Sequence, residues 1–191
     1  MTLEVVPIHK HPEYLLDCCN IINQEWKRSK TARLHSLEQS CDHLPTSLIL
    51  LKDKTVIGHL KLSVIPNIKT ACFVESVVVE MNHRNKGYGS MLMREAENFC
   101  RGLGLNAVYL STKGKEEFYV KLGYKICAPV SIYGNFVPKN MDTVNIVLKP
   151  FKLSDEANEN TTKGVYPPTP PPPPSLVKIV SSKKIFMKKI L

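Results

Sequence analysis

The chain has 191 residues, 43% of them hydrophobic and 23% charged, which supplies apolar material for one cored domain and excludes wholesale disorder. No window approaches the roughly 18 apolar residues of a membrane span, and the opening residues lack the basic and apolar regions of a secretory signal, so a cytosolic protein is expected. The net charge of +9 favours an anionic partner, but no helix-turn-helix, zinc-finger or aromatic-basic nucleic-acid signature accompanies it.

Residues 3–6 read as a short apolar strand ended by Pro7, and after Pro12 the residues Leu15, Leu16, Cys19, Ile22 and Trp26 recur at helical spacing. Next comes a stretch, 26–35, that holds Lys27, Arg28, Lys30 and Arg33 and no acid, a local basic patch. A hairpin follows from residues 47–51, a turn at 52–54, and residues 56–65, where Val56, Gly58, Leu60, Leu62 and Val64 share one parity. Residues 71–80 are dense in β-branched side chains. From them Arg84-Asn-Lys-Gly-Tyr-Gly-Ser90 leads into Met91, Leu92, Glu95, Ala96, Phe99 and Cys100 at helical spacing, ended by Gly102 and Gly104. Residues 106–112 read as a strand, 116–122 as a short helix closed by Gly123, and 124–132 as another strand.

Beyond Pro150 the composition changes. Residues 167–174 hold seven of the fourteen prolines, a polyproline II run that cannot be core because proline donates no backbone hydrogen bond. Residues 183–191 turn apolar again. The expected organisation is a domain over 1–150, a polar and proline-rich loop over 151–182 and a final strand over 183–191; the competing arrangement takes 143–148 as the last strand and leaves a disordered basic tail. The six cysteines, at 18, 19, 41, 72, 100 and 127, include no Cys-x-x-Cys pair and are expected to be buried thiols, neither zinc ligands nor disulfides.

A glycine-rich turn between a strand and a helix presents unpaired backbone N–H groups and the positive end of the helix dipole, a site for phosphate. Arg84-x-x-Gly87-x-Gly89 is neither the dinucleotide fingerprint nor the nucleotide loop. With the β-branched strand before it, the helix after it and Glu117-Phe-Tyr-Val-Lys-Leu-Gly-Tyr124 one strand later, the chain resembles the GCN5-related N-acetyltransferase superfamily over residues 3–132. The resemblance implies an α/β fold, a mixed six- to seven-stranded sheet flanked by about four helices, and acetyl-coenzyme A as cosubstrate. It also implies that Val77, Val78 and Val79 offer backbone groups to the pantetheine arm, that Arg84, Asn85, Lys86, Gly87, Tyr88, Gly89 and Ser90 hold the pyrophosphate, and that Tyr119 is the general acid. Thr112 opens Thr112-Lys-Gly-Lys115, where many members carry an asparagine that contacts the pantetheine. As general base, Glu75 shares strand parity with Val77 and Val79 and could act through a water; His9, His35 and His59 are rivals with no spacing argument.

In this superfamily the first helix leads into the acceptor-binding loop. Residues 26–37 and Glu75-Ser-Val-Val-Val79 resemble the corresponding stretches of its actin-directed N-terminal acetyltransferases, which also carry a proline-rich segment before a final strand. This implies transfer to the Asp/Glu-rich N-terminus of processed actin by a monomer, with profilin as the partner of 167–174 and neither nucleic acid nor membrane. Arg28 and Arg33 suit carboxylates held bidentately, Lys27, Lys30 and His35 add positive field, Ser29 and Thr31 lie among them, and Trp26 is expected to wall the peptide site. Two rivals are an acetyltransferase for small amines or lysine side chains and a non-catalytic actin–profilin adaptor, against which intact Arg84, Gly87, Gly89 and Tyr119 speak.

Overall fold

One edge of the sheet is β1 (Leu3–Pro7), antiparallel to β2 (Thr46–Lys52). At this edge the missing donor of Pro7 costs no ladder bond to a further strand. The computed structural model describes residues 2–132 and 184–191; the proline run and residues 143–148 lie outside them. Asp53 (φ 47°) and Lys54 (φ 64°) are both left-handed, the conformation that joins two strands through a tight two-residue loop, and they connect β2 to β3 (Thr55–Val64). β3 pairs antiparallel with β4 (Ala71–Val79). From β4 the chain crosses through the longest helix to the parallel β5 (Ala107–Thr112), and β7 (Ile185–Ile190) lies between β5 and β6 (Lys125–Ile126), antiparallel to both. The order β1-β2-β3-β4-β5-β7-β6 makes a mixed seven-stranded sheet.

Both faces of the sheet are covered, as the continuous apolar run in β2 requires. Leu48 and Leu50 pack with Leu92, Met93, Ala96 and Cys100 of α3 (Tyr88–Gly102), while Ile49 and Leu51 pack with Cys18, Cys19 and Ile22 of α1 (Leu15–Glu25) and Leu37 of α2 (Lys30–Glu38). The short α4 (Glu116–Lys121) contributes Tyr119 to the α3 side. Strand β7 is anchored by the fully buried Met187 and by Lys189, whose Nζ lies 2.6 Å from Oε2 of the buried Glu97; the Tyr124 hydroxyl donates to the other oxygen of that carboxylate at 3.2 Å.

Two expectations change. From Lys30 onward the basic stretch is a helix, α2, whose N-cap Ser29 accepts from Ala32 N–H at 3.4 Å. The strand expected over 124–132 keeps only Lys125 and Ile126, followed by a single bond from Cys127 N–H to Phe186 O at 2.9 Å; Pro129 has no N–H to donate to a continuing ladder. All six cysteines are free, four of them buried, with Cys41 and Cys127 half-buried. Among the described residues no helix is long and apolar enough to cross a membrane.

Candidate functional site

The parallel ladder between β4 and β5 runs from Ala71 opposite Ala107 to Val74 opposite Leu110 and stops there. Strand β5 continues with β7 as far as Thr112 opposite Ile185, while β4 continues with β3 alone. From Glu75 onward, then, β4 is free of β5, and its backbone lines an opening in the middle of the sheet. A bulge aims this segment: Lys61 pairs with Glu75 but His59 pairs with Val78, so β4 carries one extra residue, and Ser76 sits at φ 54°. The Ser76 carbonyl accepts from His59 Nδ1–H at 3.2 Å. His59 is 1% exposed, and burial drives its pKa down to about 4, so the ring is neutral; its Nε2 has no partner among the described residues. The extra residue breaks the parity expected between Glu75 and Val77. Val77 packs on the α3 side and Val78 on the α1–α2 side, whereas Glu75 pairs beside Lys61, whose Nζ donates to Ser36 Oγ of α2 at 3.2 Å. Glu75 therefore faces the basic helix, and its Oε1 accepts from the nearly buried Ser63 Oγ.

The opening ends at the glycine-rich turn. Arg84 spans it: Nε donates to Val79 O at 2.8 Å and Nη2 meets Glu25 Oε2 at 2.7 Å, so its side chain ties the end of β4 to the end of α1. Asn85 (φ 61°) and Gly87 (φ 82°) turn the chain into α3. Met91 N–H bonds to Gly87 O at 3.1 Å, which leaves the N–H groups of Tyr88, Gly89 and Ser90 in the unpaired first turn. The two glycines serve different ends. A side chain at Gly87 would meet nothing within 4 Å but would strain the backbone, whereas a Cβ at Gly89 would lie 3.3 Å from Phe118 Cζ and 4.0 Å from Val79 Cγ2. Gly89 thus lets α4 seat against the turn. Lys86 Nζ reaches Asn82 O at 3.0 Å, and the Tyr88 ring lies 6.2 Å from His83.

On α4, Tyr119 is 8% exposed and stacks edge-on with Phe118 and Tyr124 at 4.9 and 5.9 Å between ring centroids. Burial pushes its pKa up to about 12, so the hydroxyl keeps its proton at neutral pH, and it has no hydrogen bond to any described residue. Thr112 is buried at the end of β5, on the other arm of the opening.

The turn from α1 to α2 lies on the Glu75 side. Trp26 ends α1 and is 44% exposed, so it is not core. The side chains of Lys27, Arg28, Lys30 and Thr31 are exposed, without hydrogen bond or ion pair among the described residues, and no acid occupies the first turn of α2. Arg33 is committed differently from Arg28: Nε donates to Asn23 Oδ1 at 3.1 Å and Nη2 to Trp26 O at 2.8 Å, while Asn23 Nδ2 donates to Arg28 O at 3.1 Å. His35 is exposed and bonds Gln39 at 3.3 Å. His9 joins Ser40 at 3.0 Å and Asp42 at 3.1 Å, a clamp on the loop before β2. Sequence reasoning missed Glu25, Asn23 and Ser63. Only Glu25, the acid directly preceding a basic stretch, carried a visible signal.

A family model described as the acetyltransferase (GNAT) family matches residues 15–124. Among curated proteins, mouse N-alpha-acetyltransferase 80 is 38% identical over 126 residues, 62% of this chain and 40% of the mouse protein. The uncharacterized N-acetyltransferase CgeE of Bacillus subtilis is 39% identical over 75 residues, 38% of this chain and 29% of its own length. The chain therefore spans well under half the length of these relatives. Among solved structures, an aminoglycoside 6'-N-acetyltransferase complexed with coenzyme A aligns at a TM-score of 0.63 and 14% identity, over 100% of this chain and 97% of that one. A GNAT-family acetyltransferase from Streptococcus pneumoniae aligns at 0.61 and 13%, over 100% and 99%. Residues 15–124 run from α1 through the parted strand, the glycine-rich turn and Tyr119 to Tyr124, and over that span the chain belongs to the acetyltransferase (GNAT) family.

Proposed function

We propose that the chain is an Nα-acetyltransferase that moves acetyl from acetyl-coenzyme A, the family's cosubstrate, to acidic protein N-termini, with processed actin as the protein substrate. The likeness to a mouse N-alpha-acetyltransferase supports the reaction. The observation that carries the acidic acceptor is the start of α2, where Lys27, Arg28 and Lys30 surround the positive end of a nine-residue helix with no acid in its first turn. Helix N-termini ordinarily collect acids; cations there disfavour the helix alone and favour a chain of carboxylates docked against it. Arg28, whose guanidinium has no partner among the described residues, is the main carboxylate ligand, helped by the outer edge of Arg33 and by the field of His35, with Ser29 and Thr31 framing the helix start and Trp26 as the wall.

The donor side rests on the backbone of Val77, Val78 and Val79, free of β5, for the pantetheine, and on residues 84–90 for the pyrophosphate, with Thr112 across the opening. Glu75, anchored by Ser63 and facing α2, takes the amine proton through a water as the C–N bond forms. Tyr119 gives its proton to the departing thiolate as the C–S bond breaks. Five consecutive prolines in 167–174 are the composition that aromatic-lined grooves recognise, and we assign profilin to them, in a cytosolic, monomeric enzyme.

The test is a steady-state panel of peptides differing only in their first three residues. Asp-Asp-Asp and Glu-Glu-Glu should exceed Ser- or Ala-initiated peptides in kcat/KM by at least tenfold at low salt, with the ratio shrinking as salt rises. Equal rates, or preference for free polyamines, return the enzyme to the small-amine class.

A further inference from the structure

The four residues joining α1 to α2, Trp26 to Ser29, are all exposed, and no apolar side chain buried in the core pins them. Two of their carbonyls are held by one hydrogen-bonded pair, Asn23 and Arg33. Asn23, on the last full turn of α1, donates from Nδ2 to Arg28 O at 3.1 Å and accepts at Oδ1 from Arg33 Nε at 3.1 Å; the same side of that guanidinium donates from Nη2 to Trp26 O at 2.8 Å. The arrangement closes a loop of three bonds, α1 to turn, turn to α2 and α2 back to α1, with the Asn23 amide as its hub. Glu25, one residue before the turn, is fixed from the other side by Arg84.

We infer that Asn23 is a specificity-determining positioning residue: with the inner edge of Arg33 it sets the backbone of the 26–29 turn and thereby presents the Arg28 guanidinium to the acceptor. The inference rests on the acidic-acceptor reading above. Its physical content is preorganisation. A long side chain on an unanchored turn must be ordered when a carboxylate binds, and that cost is removed when the turn is already fixed. Asn23 is uncharged and points into the turn through hydrogen bonds, so it acts on the carboxylate through the arginines it holds, Arg28 by way of its carbonyl and Arg33 by way of Nε, and chiefly through Arg28. Arg33, by contrast, keeps an outer edge for the acceptor, and its own substitution mixes two effects.

The experiment measures discrimination, the ratio of kcat/KM for an Asp-Asp-Asp peptide to that for an Ala-initiated one, in wild type, Asn23→Ala, Arg28→Ala and the double variant. Alanine is a strong helix former, so α1 should persist; acetyl-coenzyme A affinity by calorimetry reports folding separately, and Asn23→Leu, which keeps the branched shape without the hydrogen-bonding groups, is the second variant. Asn23→Ala should lower discrimination about tenfold, chiefly through KM of the acidic peptide, the scale of one or two neutral hydrogen bonds, while coenzyme affinity stays within twofold. In the Arg28→Ala background the Asn23 substitution should remove at most about twofold more, through Arg33. The inference is overturned if both Asn23 variants bind coenzyme normally and keep the wild-type ratio, if the losses from Asn23→Ala and Arg28→Ala multiply, or if coenzyme affinity falls in parallel with discrimination in both Asn23 variants, which makes Asn23 a fold residue. If Arg28→Ala alone leaves the ratio untouched while Asn23→Ala lowers it, the acceptor assignment of Arg28 has failed, and positioning through Arg28 fails with it.

Discussion

Replacing Tyr119 by Phe takes one oxygen from a ring that is 8% exposed and packed edge-on against two others. The hydroxyl has no hydrogen bond to a described residue, so its removal orphans no partner and leaves the ring contacts intact. Stability near pH 7 should therefore change by less than about 1 kcal/mol. The rate should not be spared: loss of a positioned general acid lowers kcat by on the order of 10², or about 2.7 kcal/mol of transition-state stabilisation, with acetyl-coenzyme A affinity unchanged.

The shifted pKa supplies a second signature of the same variant. Burial raises the Tyr119 pKa from 10.0 to about 12, so between those values the native protein holds a proton that the unfolded chain has lost. The stabilisation is fully present below pH 10 and falls as pH rises toward 12, by about 2–3 kcal/mol. That component should vanish in Tyr119→Phe, so the wild-type urea midpoint should fall relative to that of the variant, by about 1–1.5 kcal/mol in stability, as pH rises from 8 to 11. The assay pairs kcat on an acidic peptide across pH 7–10 with these urea titrations. An unaltered kcat, or a lower kcat matched by an equal loss of coenzyme affinity, refutes the proton-donor role.

Gly87→Ala adds a Cβ that meets nothing within 4 Å but forces a side chain to φ 82°, so it should cost about 1–2 kcal/mol in thermal or urea unfolding, and Gly87→Glu should weaken coenzyme binding at least tenfold by calorimetry. Glu97→Ala leaves the Tyr124 hydroxyl and the Lys189 ammonium without their carboxylate and should destabilise by about 2–4 kcal/mol in urea; adding Lys189→Met to Glu97→Leu should restore part of that loss, since an apolar pair can replace a buried ionic one. His59 is held neutral by burial, its pKa driven from 6.5 to about 4, so the unfolded chain binds the extra proton first. Stability present above pH 6.5 should fall by about 3 kcal/mol as pH drops toward 4, a slope that His59→Gln should flatten in urea titrations at pH 7 and 4.5.

The alternation of strand and helix, the glycine-rich turn and the helix of Tyr119 were legible because each is written locally, in β-branched runs, 3.6-residue spacing and glycine punctuation. What escaped depends on contacts between distant segments. The bulge at Ser76 is set by register against His59, seventeen residues earlier, and it overturned the parity that tied Glu75 to Val77. Helix α2 hid behind its charges, although Ser29 as a cap with Leu34 and Leu37 at helical spacing would have disclosed it. The role of Asn23 was invisible, because an asparagine in a helix carries no sign of which carbonyls it will reach. The two glycines of the turn looked alike in sequence and differ in space, one needed for its dihedral angle and the other for the ring of Phe118.

Acetylation of actin itself is the most direct test. Purified actin lacking its N-terminal acetyl group, incubated with this protein and acetyl-coenzyme A and digested for mass spectrometry, should gain a single acetyl group on the α-amine of its acidic first residue, at a rate that Arg28→Glu lowers at least tenfold. No acetyl group at that amine under conditions where small amines or lysine side chains are acetylated would contradict the account.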